Sequence, residues 1–600
     1  MTQIKNYIYF LHKVILKKKS SWIIPALVGT IMIVLSIIIS IMNIQNKSLV
    51  IYCASFGLLF ITIFFSSLKS INLYKDLEEE GLEIITFSKP ISRKTIFISK
   101  LLMFLLMGLY WALFCSLFNL ILGLTLRLDV SYFVAFVFIT LITIFLAFIF
   151  FGSIASLISY KLNSKIAITV PLLFSIPMFL AGGFISSNST STANNFAYYL
   201  NSKNPNQPSG NDSNTNYFYL DNNKDNYYII PNGYDATSFS QKQDAYLSEA
   251  YEISKNSSTS WSVYSYLAIP YQMLEIFNIN NEDIFNKLNN QNTNNLSDYL
   301  YYKNTDSQVY SYILEKRPNL RKYQISEGKE QYIVPGALKN QSSITNIINT
   351  DIIYAREGAS DFNIIYLEDK YNFVTSENLV GKLKWENIQQ LLKSNVFNSF
   401  TNKYFAQLFN SEELQEYVKN NDLVSIKNFI LSDIQRNLND ENSELNNLID
   451  NNTNVLDENA IKNKLVKSKV EKQIYLYSAL IYYIYFTYND SIYLNALLVN
   501  DDYTDTYAPS QFKVRLDDYN YQIGGFETYV PKQQIINNQI VIRYDLTKSN
   551  NYLFATTDQI YSIQRNKKVV NKSIIVVIWI ILGASLLAAN TLLYIRKDYK

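Results

Sequence analysis

The side chains able to do covalent or acid–base chemistry are few and scattered. The chain has 600 residues, with 1 histidine (His12) and 2 cysteines (Cys53 and Cys115). A single imidazole near the N-terminus cannot build a His-based triad, an H-E-x-x-H zinc site or a two-His iron site. Both cysteines lie inside apolar runs, and the long polar middle has none. If that middle is outside the cell, it folds without a disulfide framework. Adjacent acids such as Asp501 and Asp502 invite a metal or hydrolase reading. Side chains one residue apart do not face each other on a strand, so they make no acid–base pair. Neither G-x-x-x-x-G-K-[ST] nor G-x-G-x-x-G occurs, so the chain has no phosphate-cradling loop of its own. The net charge of +3 gives no argument for nucleic acid. No catalytic residue, metal ligand or bound cofactor is expected in this chain.

One stretch carries strongly patterned charge. Residues 76–102, DLEEEGLEIITFSKPISRKTIFISKLL, open with a cluster of acids, pass through Ser88-Lys89-Pro90, and end in a basic run that enters apolar sequence. The surrounding elements explain where it must lie. Apolar residues are concentrated at 22–185 and 573–595, while 186–570 is polar and rich in Asn, Ser, Tyr and Asp. A helix needs about 20 apolar residues to cross the hydrocarbon core. Segments 22–43, 49–68, 101–126, 130–158, 166–185 and 573–595 qualify. The first has too long an apolar stretch, and no small-x-small site, for a cleaved signal peptide.

Orientation follows from Lys and Arg in the short loops. Lys5, Lys13, Lys17, Lys18 and Lys19 precede the first span, and Lys161 and Lys165 lie between the fourth and fifth. Arg596, Lys597 and Lys600 close the chain, while the opposite short loops hold only Lys47 and Arg127. This predicts a bacterial plasma-membrane protein with both termini cytoplasmic and 186–570 extracellular. The basic residues Arg565, Lys567, Lys568 and Lys572 disagree, but charges on long translocated domains count little. The fold class expected is a polytopic α-helical membrane protein with about six spans, arranged 5+1. A large α+β extracellular domain is inserted between the fifth and sixth. The parts are an interfacial segment at 1–20, spans at 21–185 with a cytoplasmic loop at 69–100, the external domain at 186–570, and the last span with a basic tail at 571–600.

Residues 3–16 place Ile4, Tyr7, Ile8, Leu11, Val14 and Ile15 on one helical face, which suits a helix lying on anionic membrane lipid. Residues 186–225 are low in complexity and read as a weakly ordered entry to the external domain. Beyond them, helical patterns fall near 239–254, 260–278, 380–395, 411–438 and 457–488. Alternating strands follow near 512–517, 525–530 and 536–546, so helices come first and strands last. The aromatic run 474–488 is too short to span and reads as a buried core helix. The abundant tyrosines read as core filling.

In the 69–100 loop, residues 71–85 place Leu73, Leu77, Ile84 and Ile85 at near-helical spacing, with acids on the other face. Pro90 breaks the pattern, and Ser92 can cap a helix that continues into the third span. The outcome is a helix–turn–helix at the membrane surface, able to transmit a push.

This segment resembles the one linking the second and third spans in permease subunits of ABC-2-type ABC transporters. The match lies at Glu80-Gly81-Leu82-Glu83, then Ser88-Lys89-Pro90-Ile91-Ser92-Arg93, with Lys100-Leu101-Leu102 opening the third span. Residues 156–168 look like the family's fourth-to-fifth junction. The small residue usual between Gly and Leu is missing here. The resemblance covers 1–185 and 573–600 and leaves out the external domain. It implies a separate ATPase subunit that carries ATP-Mg and docks on Leu73, Leu77, Glu80, Gly81, Leu82, Glu83, Ile84, Ser88, Pro90 and Arg93. It also implies a second permease copy or paralogue, and export rather than import. The alternative is a membrane-anchored adhesin or receptor whose external domain binds a ligand without transport.

Overall fold

The computed structural model describes residues 2–41, 47–188, 191–200, 213–220, 226–233, 235–267, 271–279, 284, 309–340, 350–371, 376–448, 468–499, 506–507 and 509–596. The N-terminal part is a helical bundle. It comprises α1 (Thr2–Lys17), α2 (Ser20–Ile41), α3 (Lys47–Tyr74), α4 (Asp76–Glu79), α5 (Leu82–Phe87), α6 (Arg93–Thr125), α7 (Val130–Ser159) and α8 (Ser164–Asn188). Among the described residues, six helices are long and apolar enough to cross a membrane: α2, α3 with α4, α6, α7, α8, and a last helix over Lys572–Ile595. These helices mark a membrane protein. Their exposed faces are lined by residues such as Ile31, Leu117, Phe138, Leu173 and Ile581, which is how a bundle solvated by lipid is built.

Helix boundaries follow local chemistry. Ser92 caps α6, its Oγ accepting from the Thr95 N–H at 3.2 Å. Arg127 turns the chain between α6 and α7 at a φ of 49°. The amphipathic face expected on α1 exists, but Tyr7, Leu11 and Ile15 are buried within the bundle core, where α1 packs along α6. That face is therefore covered by protein rather than by lipid alone.

The remaining chain forms the region that holds the β-sheets. Its elements are α9 (Thr192–Leu200), β1 (Thr215–Phe218), β2 (Tyr227–Pro231), α10 (Gln241–Leu267), α11 (Tyr271–Glu275), β3 (Tyr310–Glu315), β4 (Lys322–Ser326), β5 (Lys329–Pro335), β6 (Ile352–Arg356) and β7 (Val380–Leu383). There follow α12 (Trp385–Lys393), α13 (Asn395–Phe409), α14 (Glu412–Lys419), α15 (Leu423–Asn439), α16 (Lys469–Thr487) and α17 (Ile492–Leu498). The chain then runs through β8 (Phe512–Leu516), β9 (Tyr519–Ile523), β10 (Phe526–Ile536), β11 (Gln539–Lys548), β12 (Phe554–Thr557) and β13 (Tyr561–Lys568) to α18 (Lys572–Ile595). The sheet orders are β1-β2-β13-β3, β12-β5-β4, β7-β6-β9-β8 and the ribbon β10-β11. Every strand pairing within them is antiparallel.

Several expectations change here. Helices do not precede strands: β1 to β7 come before α12. The 380–395 pattern splits into β7 and α12, because Gly381 allows the Tyr354 ring of β6 to lie against the backbone where a Cβ would collide. The 411–438 pattern breaks between α14 and α15 at Asn421, which takes a φ of 52°. Part of 186–225 is ordered as the end of α8, α9 and β1; 201–212 and 221–225 lie outside the described residues, as do 457–467 and Asp501-Asp502.

The run 474–488 is a core helix, as its length predicted. α16 is the centre of the largest apolar cluster. Its tyrosines fill the core and also satisfy strand and loop carbonyls. The Tyr482 hydroxyl donates to Leu553 O at 2.6 Å and accepts from Ala337 N at 3.2 Å. The Tyr485 hydroxyl donates to Ile333 O at 2.9 Å, and that of Tyr475 to Lys382 O at 3.0 Å. A ring that buries large area while its hydroxyl meets a backbone group is an economical way to join a helix to several sheets.

Candidate functional site at the base of the bundle

The patterned segment does not form one amphipathic helix. α3 runs on to Tyr74, α4 adds one turn, and Gly81 takes a φ of 73°. This left-handed residue resets the helical phase before α5. As a result Leu73 and Leu77 point into the bundle core, while Ile84 and Ile85 are 72% and 59% exposed. Leu82 is half-buried, and Glu80, Ser88, Pro90 and Arg93 are exposed. The expected apolar face of Leu73, Leu77, Ile84 and Ile85 is therefore divided between interior and surface.

Glu83 is the buried exception among the acids. It pairs with Lys100 of α6, and the two side chains are only 2% and 0% exposed. Two such charges persist in an apolar surround only as a pair. The Lys100 ammonium also lies 5.6 Å from the Tyr74 ring centre and 5.3 Å from that of Phe97. Tyr594 of α18 packs on Tyr74 at 4.9 Å, on Tyr160 at 5.4 Å and on Phe97 at 6.1 Å between ring centres. Its hydroxyl donates to Ser156 O of α7 at 3.0 Å. The short helix α5 is thus tied by Lys100 to the ends of α3 and α6, which Tyr594 joins to α7 and α18.

A second node joins α1 and α2 to the same segment. Lys18 pairs with Asp76 at 3.3 Å and with Glu80. Partial burial pulls the Lys18 amine down, but the hydrogen bond to Glu80 and the charge of Asp76 outweigh it and hold it above its usual value. Lys69 of α3 donates to Ser21 Oγ at 2.6 Å and Ser20 Oγ at 2.9 Å, and Asn72 Nδ2 donates to Asp76 Oδ2 at 2.6 Å. A groove of about 340 Å³ opens between α1 and α5, lined by Tyr7, Phe10, Leu82, Ile85, Thr86 and Ile91 among others.

These contacts gather the α1–α2, α3–α4, α5–α6 and α7–α8 junctions and the end of α18 at one end of the bundle. Lys17, Lys19, Lys161, Lys165 and Arg596 are exposed there; Lys597 lies outside the described residues. Lys47 and Arg127 meet at the opposite end, the Lys47 amine donating to Arg127 O at 3.0 Å. The interior roles of Lys69 and Lys100 were missed from sequence. The available signal was a lone lysine opening an apolar run, with one acid among apolar neighbours upstream. Among the described residues, no group of three His, Cys, Asp or Glu side chains is arranged to hold a metal ion. No family model, curated protein or solved structure matches the chain.

Proposed function

We propose that this chain is the permease subunit of an ATP-driven ABC transporter, most simply an exporter of the ABC-2 type. In this reading the bundle has a 5+1 topology, the basic end is cytoplasmic, and the β-containing region is extracellular. A separate ATPase, carrying ATP-Mg, docks on α5 and drives the spans. A second permease copy or paralogue completes the path. The observation that carries the reading is the buried Glu83–Lys100 pair. It fixes a six-residue helix, with Ile84 and Ile85 facing outward, to the base of several spans. A force applied to α5 would therefore reach α3, α6, α7 and α18 instead of bending a loose loop.

The test is purification of the tagged full-length chain from its native membrane. An ATPase with a P-loop co-purifies, and Ile84→Asp with Ile85→Asp removes it while the chain keeps its thermal transition. An ATPase retained by that double variant would sink the docking assignment. The competing adhesin reading draws on one feature, the ribbon tip where Ile535 and Ile540 are exposed opposite each other. Ligand attachment lost on Ile535→Ser, in a chain with no ATPase partner, would favour it.

A further inference from the structure

The opposite end of the bundle holds a segment that the topology alone does not require. After α10, which runs back along α8, residues 271–279 enter the bundle. Tyr271, Met273, Leu274 and Phe277 are buried in the same apolar core as the spans. The Phe277 ring meets Phe136 of α7, with centres 6.5 Å apart. Gly182 of α8 lies directly against Tyr271, and a Cβ there would overlap the tyrosine's Cβ and ring. The absence of a side chain at 182 is what lets the segment seat so deeply.

This apolar insertion also carries a buried carboxylate, which an inert filler would not need. Glu275 accepts from the Tyr271 hydroxyl at 2.8 Å and from Asn278 Nδ2 at 2.8 Å. Its backbone carbonyl accepts from the Lys572 amine at 3.0 Å, and the two side-chain charges are 3.9 Å apart. Lys572 also donates to Asn278 O. Two turns further along α18, Trp579 Nε1 donates to Gln272 Oε1 at 3.2 Å. The Lys572 and Trp579 bonds tie the segment to α18, while its apolar side packs on α3, α7 and α8. Helix α18 is 24 residues long, and it runs about 33 Å from Lys572 in this polar cluster to Tyr594 at the base. On its other side it is continuous with β13, an inner strand of the β1-β2-β13-β3 sheet.

We propose that residues 271–279 are a plug that closes the outer mouth of the bundle, latched to α18 by Glu275–Lys572 and Gln272–Trp579. Apolar fit against α3, α7 and α8 seats the plug, and the polar bonds to α18 are the part that can be released without unpacking a span. This rests on the transporter reading for its purpose, but its geometry stands without an ATPase. The test uses the full-length chain in sealed vesicles, with Met273→Cys in a Cys53→Ser, Cys115→Ala background. The readout is the labelling rate by a membrane-impermeant maleimide added outside. Position 273 labels slowly when the latch is intact. Glu275→Gln with Lys572→Met labels it roughly tenfold faster, within the usual range of coupling between sites. An unchanged rate in that variant overturns the plug. If the double variant fails to fold, Gln272→Leu decides: faster labelling supports the plug and an unchanged rate refutes it. Faster labelling in the latch variants without any effect of an added ATPase and ATP would keep the plug and sink the coupling scheme.

Discussion

Removing one partner of the Glu83–Lys100 pair is the sharpest perturbation of the inner node. Both side chains are at most 2% exposed, so neither lone charge can recover hydration without opening the junction. Breaking a buried pair by deleting one partner costs about 3–5 kcal/mol, because an uncompensated charge remains. Replacing both members by apolar groups is often neutral. Glu83→Met and Lys100→Met should each therefore destabilise by about 3 kcal/mol or more. The double variant should fall within about 1 kcal/mol of the parent, giving a coupling energy far from additive. The assay is denaturant unfolding of the four purified full-length proteins in one detergent, followed by tryptophan emission. Near-zero single effects, or singles that simply add in the double, would refute the buried pair. They would mean that water reaches Glu83 and that α5 is loosely held.

Three further outcomes follow from the same geometry. Gly81→Ala places a Cβ in open space but at a φ of 73°. It should cost roughly 1–2 kcal/mol in the same unfolding assay, through backbone conformation alone. Tyr482→Phe removes the hydroxyl that accepts from Ala337 N and donates to Leu553 O, the latter keeping its bond from Gly336 N. It should lower stability by about 1–3 kcal/mol without moving the helical circular dichroism signal. Lys339, 1% exposed, is pulled by burial from 10.5 to about 8, against the opposing charges of Asp558 and Asp235. The folded state then binds fewer protons than the unfolded one between about pH 8 and 10.5, so this residue makes stability rise with pH across that window. Below pH 8 its cost is complete. Lys339→Met should stabilise the chain at neutral pH, and its advantage should shrink as pH climbs from 8 to 10.

The apolar helices were legible because a bilayer fixes their length, and no competing constraint shortens them. The run 474–488 was legible for the converse reason, being strongly apolar but too short to span. Other features were decided by contacts that sequence periodicity does not carry. Residues 71–85 repeat like one helix, yet a single positive φ at Gly81 turns Ile84 and Ile85 outward while Leu73 and Leu77 stay inside. The strands before α12 are short and pair over long sequence distances. β13, for example, pairs with β2 and β3, and short strands of this kind carry little local signal. The reading of 260–278 as one helix passed over Pro270, beyond which the chain enters the bundle. In the sequence Lys100 only marks the opening of the third span. Its burial depends on Glu83 being swung back over it by the turn at Gly81.

In the proposed function α5 is the seat of a separate ATPase. Photo-crosslinking in the native membrane from an unnatural side chain at position 84 tests it most directly. The expected result is one major adduct whose partner carries a P-loop, with none from a control position at 535. No adduct at 84, or an adduct with a protein that binds no nucleotide, would contradict it.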